Sequence, residues 1–204
     1  MTGTRNLLEA CESIESIERL VFVSSAAVYR PENEPHNEID ALDLVCIYGC
    51  TKLVVENLVN KYHQDIGVDT VLLHLFNIYR QSDTDDHLVP AISNQIENDR
   101  EEIELEEPLF KKEFVYVSDI TNAFITALTE IKTSTQHYNA GTRESYSLRE
   151  VAEATSKMIG RHIEMQQDED RVKKSDRPHL CADSTLLHRD TSWEPTVSLL
   201  DGRQ

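Results

Sequence analysis

The sequence is poor in glycine, cysteine and basic side chains, and each shortage argues against a class of function. Only six of its 204 residues are glycine, and they form neither Gly-x-Gly-x-x-Gly nor P-loop spacing, so the chain has no phosphate-cradling loop of its own. Four cysteines are too few and too scattered for a disulfide-stapled secreted domain. Neither they nor the eight histidines show the spacing of a zinc site, so we expect no metal.

Two further absences bear on where the chain works. No apolar run approaches membrane-spanning length and the start does not resemble a secretory signal, which predicts a cytoplasmic protein with no membrane partner. The 20 Lys and Arg are outnumbered by 37 Asp and Glu, and the net charge of −17 repels nucleic-acid phosphates. This acid excess, spread along the chain, is typical of a halophilic cytoplasm and of ordinary acidic proteins, and both interpretations stay open, as does an acidic interaction protein.

The hydrophobic pattern alternates between helical and strand-like periods, which predicts an α/β fold with a parallel sheet. A helix at residues 4–18 precedes a buried strand at Leu20–Val23 and an exposed loop at residues 30–43. A helix from Ile47 to Ile66 then leads to a second strand at Val68–Leu75. The apolar faces of the two helices are expected to bury Leu7, Leu8, Cys11, Ile14, Leu53, Val54, Leu58 and Val59.

The second half of the chain has shorter elements. The pattern predicts a helix near Leu88–Ile96, strands at Ile103–Leu105 and Glu113–Val117, and a helix at Asp119–Ile131. Ser147 and Glu150 have capping-box spacing and are expected to begin another helix.

Tyr48 and Lys52 are the residues best suited to chemistry. They lie four residues apart on one face of the predicted helix, where the ammonium would favour a phenolate that acts as a base. Ser24 and Ser25 end the preceding strand, at the edge where open parallel sheets bind ligands. Such spacing also occurs in purely structural helices, but this context favours a catalytic site.

A strand that ends in serine, followed by a helix with Tyr and Lys, resembles the extended short-chain dehydrogenase/reductase family, specifically its NAD-dependent nucleotide-sugar epimerases and dehydratases. This resemblance implies a partial Rossmann-like parallel sheet and a smaller C-terminal α+β substrate-binding lobe. Further segments match the family in order, namely GTRNLLEA at 3–10, LFNIY at 75–79, FVYVSD at 114–119, YNAG at 138–141, Lys173 with Asp176, His179 and Asp183, and Trp193 with Pro195.

The resemblance also implies roles for particular residues, with NAD as cofactor and a UDP-hexose as substrate. Tyr48 would be the acid/base that deprotonates a sugar hydroxyl as hydride passes to NAD, which gives a 4-keto sugar. Lys52 would support Tyr48 and contact the nicotinamide ribose, Ser25 would hold the sugar oxygen, and Ser24 would lie at the cofactor. The substrate would be bound by Ser25, Asn77, Leu88, Lys112, Lys173 and Asp176.

Ala27 helps to choose the reaction. The family's 4,6-dehydratases carry an acid/base, typically Glu, at this position, and an alanine methyl cannot transfer a proton. The resemblance therefore favours a UDP-glucose/UDP-galactose 4-epimerase, with a dehydratase or reductase of the same family as the alternative.

The resemblance divides the chain near residue 80. Residues 1–80 would be the C-terminal part of an NAD-binding Rossmann domain with the Ser/Tyr/Lys site, and 81–204 mainly the substrate lobe, interleaved with the last Rossmann elements. Family members carry roughly a hundred further residues at the start, including the glycine-rich NAD segment. A truncated, inactive nucleotide-sugar-binding fragment or subunit is therefore a second hypothesis. The resemblance also implies a homodimer, held through the first helix and the Tyr–Lys helix.

Overall fold

The computed structural model describes residues 2–43, 45–80, 102–105, 110–160, 164–167 and 179–199. The helices are α1 (Thr2–Glu12), α2 (Ile47–Ile66), α3 (Val117–Thr129), α4 (Leu148–Ile159) and α5 (Thr185–Asp190). The strands are β1 (Arg19–Ser25), β2 (Asp69–Leu75), β3 (Asn77–Tyr79), β4 (Glu102–Leu105), β5 (Lys111–Tyr116), β6 (Thr135–Ala140), β7 (Ser145–Ser147), β8 (Glu164–Gln167) and β9 (His179–Leu180).

The main sheet has three parallel strands in the order β1-β2-β6. The central strand β2 is buried along almost its whole length, as its continuous apolar run predicts for a strand covered on both faces. The register pairs Ser25 with Leu75 and His74 with Asn139, so the carboxyl ends of all three strands reach one edge. The α/β class predicted from the alternating pattern is confirmed.

Helices cover both faces of this sheet. On one face, residues of α1 and α2 pack against β1 and β2 in a cluster formed by Leu8, Val55, Val59, Tyr62 and Leu72. On the other face, α3, α5 and residues 191–199, here called the C-terminal segment, contribute to a larger cluster that includes Val71, Leu73, Ile120, Ala123, Tyr138, Leu187 and Trp193. Burial of such large apolar side chains, worth about 1.5–3 kcal/mol each, holds the layers together.

A smaller sheet lies beside the first. β5 is parallel to β3 and β9 and antiparallel to β7, and β3 follows β2 directly after Phe76. β4 pairs with β8. Helix α4 begins with the capping box predicted from the sequence, because the Ser147 hydroxyl accepts from the Glu150 amide at 3.1 Å and the Glu150 carboxylate accepts from the Ser147 amide at 2.7 Å. These elements form the smaller α+β lobe that the resemblance implied.

The C-terminal segment is fastened to the start of α3 by Asp119. The buried carboxylate accepts hydrogen bonds from the Thr196 amide (3.1 Å), the Val197 amide (3.0 Å) and the Thr196 hydroxyl (2.9 Å). The Trp193 indole donates to the Asp119 carbonyl at 2.8 Å. This one residue therefore supplies four acceptor contacts to the chain that follows α5.

The buried faces of α1 and α2 match the prediction in part, since Leu8 and Val59 are buried as expected. Leu7 is 57% exposed and Val54 is 45% exposed. Helix α1 ends at Glu12 and not at residue 18, so Ile14, which is 47% exposed, lies beyond it. The buried residues of α2 include Glu56 and Tyr62, which the apolar pattern does not select. The prediction was wrong for the three exposed residues. It missed Glu56 because distant strands supply polar partners for this carboxylate, and no helical periodicity records them.

The loop at residues 30–43 was predicted to be exposed, but part of it is buried. His36 has no exposed surface, and its ring stacks on the Tyr29 ring with centroids 5.1 Å apart. Its amide donates to the Cys181 carbonyl at 2.8 Å, and its carbonyl accepts from the Asp183 amide at 2.7 Å. The loop thus connects the end of β1 to the segment after β9.

Within the described residues, none of the helices combines the length and the apolar character needed to cross a bilayer. The helix predicted near Leu88–Ile96 lies outside the described residues.

Cys181 provides a chemical test of this packing. It is 2% exposed, and burial together with the nearby Glu113 carboxylate raises the pKa of its thiol to about 12, whereas Cys11, Cys46 and Cys50 are half-buried. Because the thiolate is the reactive form, we expect a disulfide reagent at pH 8 to leave Cys181 unmodified until denaturant is added. The number of thiols that react with the reagent in folded Cys181→Ala should equal the number in the folded, unaltered chain. Rapid reaction of all four thiols in the folded protein would contradict this packing.

Candidate functional site

Tyr48 and Lys52 meet in the first turns of α2 as predicted. Tyr48 is 54% exposed, and the Lys52 ammonium lies 5.7 Å from the centroid of the Tyr48 ring. The same ammonium lies 5.6 Å from the Phe22 ring and donates to the Val23 carbonyl at 2.9 Å. A positive charge is therefore fixed beside an accessible phenol.

Two serines end β1 close to this pair. The Ser25 hydroxyl accepts from the Ala27 amide at 3.2 Å and caps the short 3₁₀ turn Ala26–Val28. The Ser24 side chain points to the other face of the strand, where it is 1% exposed and its hydroxyl donates to Glu56. Ser25 is thus partly accessible at the carboxyl end of the sheet, whereas the Ser24 hydroxyl has a buried protein partner.

Gly49 lets α2 approach the end of β1. A Cβ atom built on Gly49 would lie 2.4 Å from the Ala27 carbonyl oxygen and 3.1 Å from its carbon, both of them backbone atoms. Only glycine permits this approach, which holds the first turn of α2, with Tyr48, against the turn that follows Ser25.

Gly49→Ala is therefore expected to destabilise the fold by about 1–3 kcal/mol and to displace Tyr48, because the backbone must move to accept the methyl group. Chemical denaturation measures the loss. Gly3→Ala is the matched control, since nothing lies within 4 Å of a Cβ at Gly3 in α1 and the change should be neutral or stabilising. Equal stabilities of the two variants would contradict the close approach at Gly49.

A buried polar network lies behind the site. The Glu56 carboxylate accepts from Ser24 and lies 3.1 Å from His74 Nε2, and His74 Nδ1 lies 2.6 Å from the Tyr29 hydroxyl. Burial works to raise the pKa of Glu56, but hydrogen bonds with His74 and Ser24 and electrostatic attraction by His74 and His137 outweigh it and lower the pKa. Burial raises the pKa of Tyr29 far above its ordinary range, so that phenol stays protonated.

A second buried carboxylate connects the two sheets. Glu113 on β5 accepts from the Ala182 amide at 2.5 Å and the Arg143 amide at 2.9 Å. Burial raises the pKa of Glu113, and these backbone hydrogen bonds oppose the rise only in part. The side chain holds the loop after β6 and the segment after β9 against β5.

The predicted substrate residues divide into two groups. Asn77 and Lys112 lie on the paired strands β3 and β5, and the Asn77 side-chain amide donates to the Glu113 carbonyl at 2.8 Å. Asn77 follows Leu75, the register partner of Ser25, so it continues from the edge where the serine lies. Leu88, Lys173 and Asp176 lie outside the described residues.

Sequence reasoning missed Glu56, His137 and Glu113. Glu56 lies four residues after Lys52, which is one sign that the same helical face continues as a polar one. Nothing in the sequence brings His137 near His74, because β2 and β6 are neighbours only after folding. A cleft of about 220 Å³ in the smaller lobe, between β7 and residues 195–199, was also not anticipated.

A Rossmann-like parallel sheet with Ser, Tyr and Lys side chains at its carboxyl edge defines a class of short-chain dehydrogenase/reductase-like proteins. The model of the NAD dependent epimerase/dehydratase family matches residues 1–141. The chain belongs to this family.

The relatives are nucleotide-sugar enzymes. The chain is 28% identical to UDP-glucose 4-epimerase of Lactobacillus helveticus over 98% of its own length and 66% of that protein. It is 27% identical to dTDP-4-dehydro-6-deoxyglucose reductase of Escherichia coli over 91% of its length and 59% of that protein. The structure matches UDP-glucuronic acid 4-epimerase from Bacillus cereus in complex with UDP-glucuronic acid and NAD, with a TM-score of 0.88, 24% identity, and 98% and 63% of the two chains covered. The chain therefore spans about two thirds or less of these proteins, and the Rossmann-like fold is confirmed.

Proposed function

We propose that this chain carries the acid/base and substrate residues of an NAD-dependent nucleotide-sugar 4-epimerase of the UDP-glucose/UDP-galactose type. The observation that carries the proposal is the half-exposed Tyr48 phenol with the Lys52 ammonium fixed beside its ring at the end of β1. The L. helveticus relative is named a UDP-glucose 4-epimerase, and the B. cereus structure contains NAD.

The residues of the site fit one end of a nicotinamide cofactor. An exposed phenol and an ammonium are suitable donors to ribose hydroxyls, and Tyr48 and Lys52 would hold that ribose. The 204 residues contain no glycine-rich phosphate loop, so the fit extends to the ribose end alone. When bound, NAD would supply the hydride acceptor and donor for a reaction without net redox change.

The chain's own residues account for the proton chemistry. In the proposed reaction, Tyr48 in its phenolate form accepts the proton of a sugar hydroxyl and becomes the neutral phenol, and Lys52 supplies the positive charge beside the phenolate before the transfer. The Ser25 hydroxyl orients the same sugar oxygen, and Asn77 and Lys112 bind the diphosphate end of the substrate. Ala27 cannot donate a proton for dehydration, so epimerisation is favoured over the dehydratase alternative.

The test is conversion of UDP-galactose to UDP-glucose by the purified chain with saturating NAD, followed by proton NMR of the two anomeric signals. Appearance of UDP-glucose supports the proposal. Bound NAD and UDP-galactose without conversion would overturn it.

A second candidate follows from the same lack of a glycine-rich phosphate loop. It is a non-catalytic module that binds the nucleotide sugar through the smaller lobe. Calorimetric titration separates the two candidates, because this module binds UDP-glucose but shows no saturable binding of NAD.

The homodimer stays a prediction. Exposed Leu7 on α1 and Val54 on α2 supply apolar surface for a helix-bundle interface of the kind that the resemblance implies.

A further inference from the structure

One carboxylate and two imidazoles lie together between α2 and the main sheet. Glu56 on α2, His74 on β2 and His137 on β6 each offer a ligand atom, and these atoms lie within 4.8 Å of one another. Glu56 and His74 are each 1% exposed, and His137 is half-buried. The side chains share one face of the sheet because His137 is the register partner of Leu72, two residues before His74.

Hydrogen bonds around the cluster determine where the protons lie. The side-chain nitrogen of Asn139 donates to the His36 carbonyl at 2.8 Å. The side-chain oxygen of Asn139 therefore faces Tyr29 and accepts the single hydroxyl proton of Tyr29 at 2.8 Å. His74 Nδ1, 2.6 Å from the Tyr29 oxygen, must therefore be the donor of that contact.

The other nitrogen of His74 is then left without a proton in the neutral ring. Its lone pair faces Glu56 Oε1 at 3.1 Å, and two lone pairs at that distance repel. A positive charge between them removes the repulsion, and that charge is either a second proton on His74 or a cation.

The second oxygen of the Glu56 carboxylate favours a cation. Glu56 Oε2 is buried and has no hydrogen-bond partner among the described residues, whereas Oε1 accepts from Ser24. A buried carboxylate oxygen without a partner is unfavourable, and a metal ion would satisfy it.

We propose that Glu56, His74 and His137 bind a divalent transition-metal ion of the zinc type. Two neutral imidazoles and one carboxylate are a known zinc ligand set, with a fourth position left for water. Ligand atoms around zinc at about 2.0–2.1 Å are separated by roughly 3.3 Å, so small side-chain movements would close the cluster. The hydroxyls of Tyr29 and Ser24, which hydrogen-bond to His74 and Glu56, would fix the orientation of these two ligands.

This site was not predicted from the sequence, because its three residues come from α2, β2 and β6 and meet only in the folded chain. The half-buried His137 gives the ion a route from solvent. The ion would join α2 to two strands directly behind Ser24, so its role is structural support of the site rather than chemistry on the substrate.

The test uses the full chain without a histidine tag, titrated with Co²⁺ by visible absorption and with Zn²⁺ by calorimetry. We expect one ion per chain with the d–d bands of four- or five-coordinate Co²⁺. His137→Ala should weaken binding of both ions by at least about 10-fold, since it removes a direct ligand. The matched control is His63→Ala, a half-buried histidine of α2 outside the cluster, which should bind within about twofold of the unaltered chain.

Circular dichroism confirms that each variant is folded. Glu56→Gln is a second ligand variant that keeps the shape of the side chain, so weaker metal binding in it cannot be attributed to the lost packing that His137→Ala also causes. Zn²⁺ should raise the melting temperature of the native chain and of His63→Ala, but not of Glu56→Gln or His137→Ala. No binding at millimolar ion, equal affinity in His137→Ala, or equal loss in the control would each overturn the proposal.

Discussion

Replacement of Tyr48 by phenylalanine is expected to lower the rate of UDP-sugar epimerisation by about 10²- to 10⁴-fold, the usual contribution of a positioned acid/base. The ring and its contact with the Lys52 ammonium remain, so the loss reflects the Tyr48 hydroxyl group. The measurement is kcat for UDP-galactose with saturating NAD, together with the Kd for UDP-glucose. The Kd should change by less than about threefold because the substrate lobe is untouched.

Tyr62→Phe is the matched control for this prediction. Tyr62 lies on the same helix, is 4% exposed, and its hydroxyl has no hydrogen-bond partner among the described residues. Loss of the Tyr62 hydroxyl should leave kcat within about twofold of the value for the unaltered chain. An unchanged kcat in Tyr48→Phe, or an equal drop in both variants, would remove Tyr48 from its proposed role.

Trp193→Ala is expected to destabilise the chain by about 3–5 kcal/mol, the range for a large aromatic removed from a core. Trp193 is 2% exposed, packs in the cluster beneath α3 and α5, and donates its indole proton to the Asp119 carbonyl at 2.8 Å. Its loss leaves a cavity where the C-terminal segment meets the main sheet. Urea unfolding followed by far-ultraviolet circular dichroism measures the effect without depending on the chain's single tryptophan.

Trp193→Phe separates packing from hydrogen bonding. It keeps an aromatic ring but loses the donor to Asp119, and we expect a loss of about 1–2 kcal/mol. Asp65→Ala is the surface control, since Asp65 pairs with the exposed Lys61 on α2, and its loss should cost less than about 0.5 kcal/mol. A loss below 1 kcal/mol for Trp193→Ala would show that the C-terminal segment does not hold the core.

The elements that local signals define were predictable from the sequence. The helix at Ile47–Ile66 ends at Gly67, which adopts the left-handed conformation that glycine favours, and both bounds match the prediction. The capping box at Ser147 formed because its two partners lie three residues apart. In each case the residues that determine the element lie within it or next to it.

The features that long-range contacts decide were not predictable. The buried face of α2 depends on Ser24 and His74, which lie on strands 32 and 18 residues away from Glu56. The burial of His36 depends on the segment at Cys181, far along the chain. Apolar periodicity treats a buried Glu or His as a solvent-facing residue, so it assigned these faces and this loop to the surface.

The candidate site also has one feature that local spacing predicts and one that depends on long-range contacts. The pair of Tyr48 and Lys52 was predicted because four residues on a helix fix their proximity. Gly49 was not singled out, since its role comes from the approach of the Ala27 backbone.

The parallel arrangement of β1, β2 and β6 also has a consequence for folding kinetics. The hydrogen bond between Tyr29 and Asn139 joins residues 110 positions apart, and each neighbouring pair in the sheet is separated by a long stretch of chain. Such non-local pairing makes folding slow. During synthesis, β1, α2 and β2 leave the ribosome well before β6, so the polar groups between α2 and the sheet stay partly solvated until β6 pairs with β2.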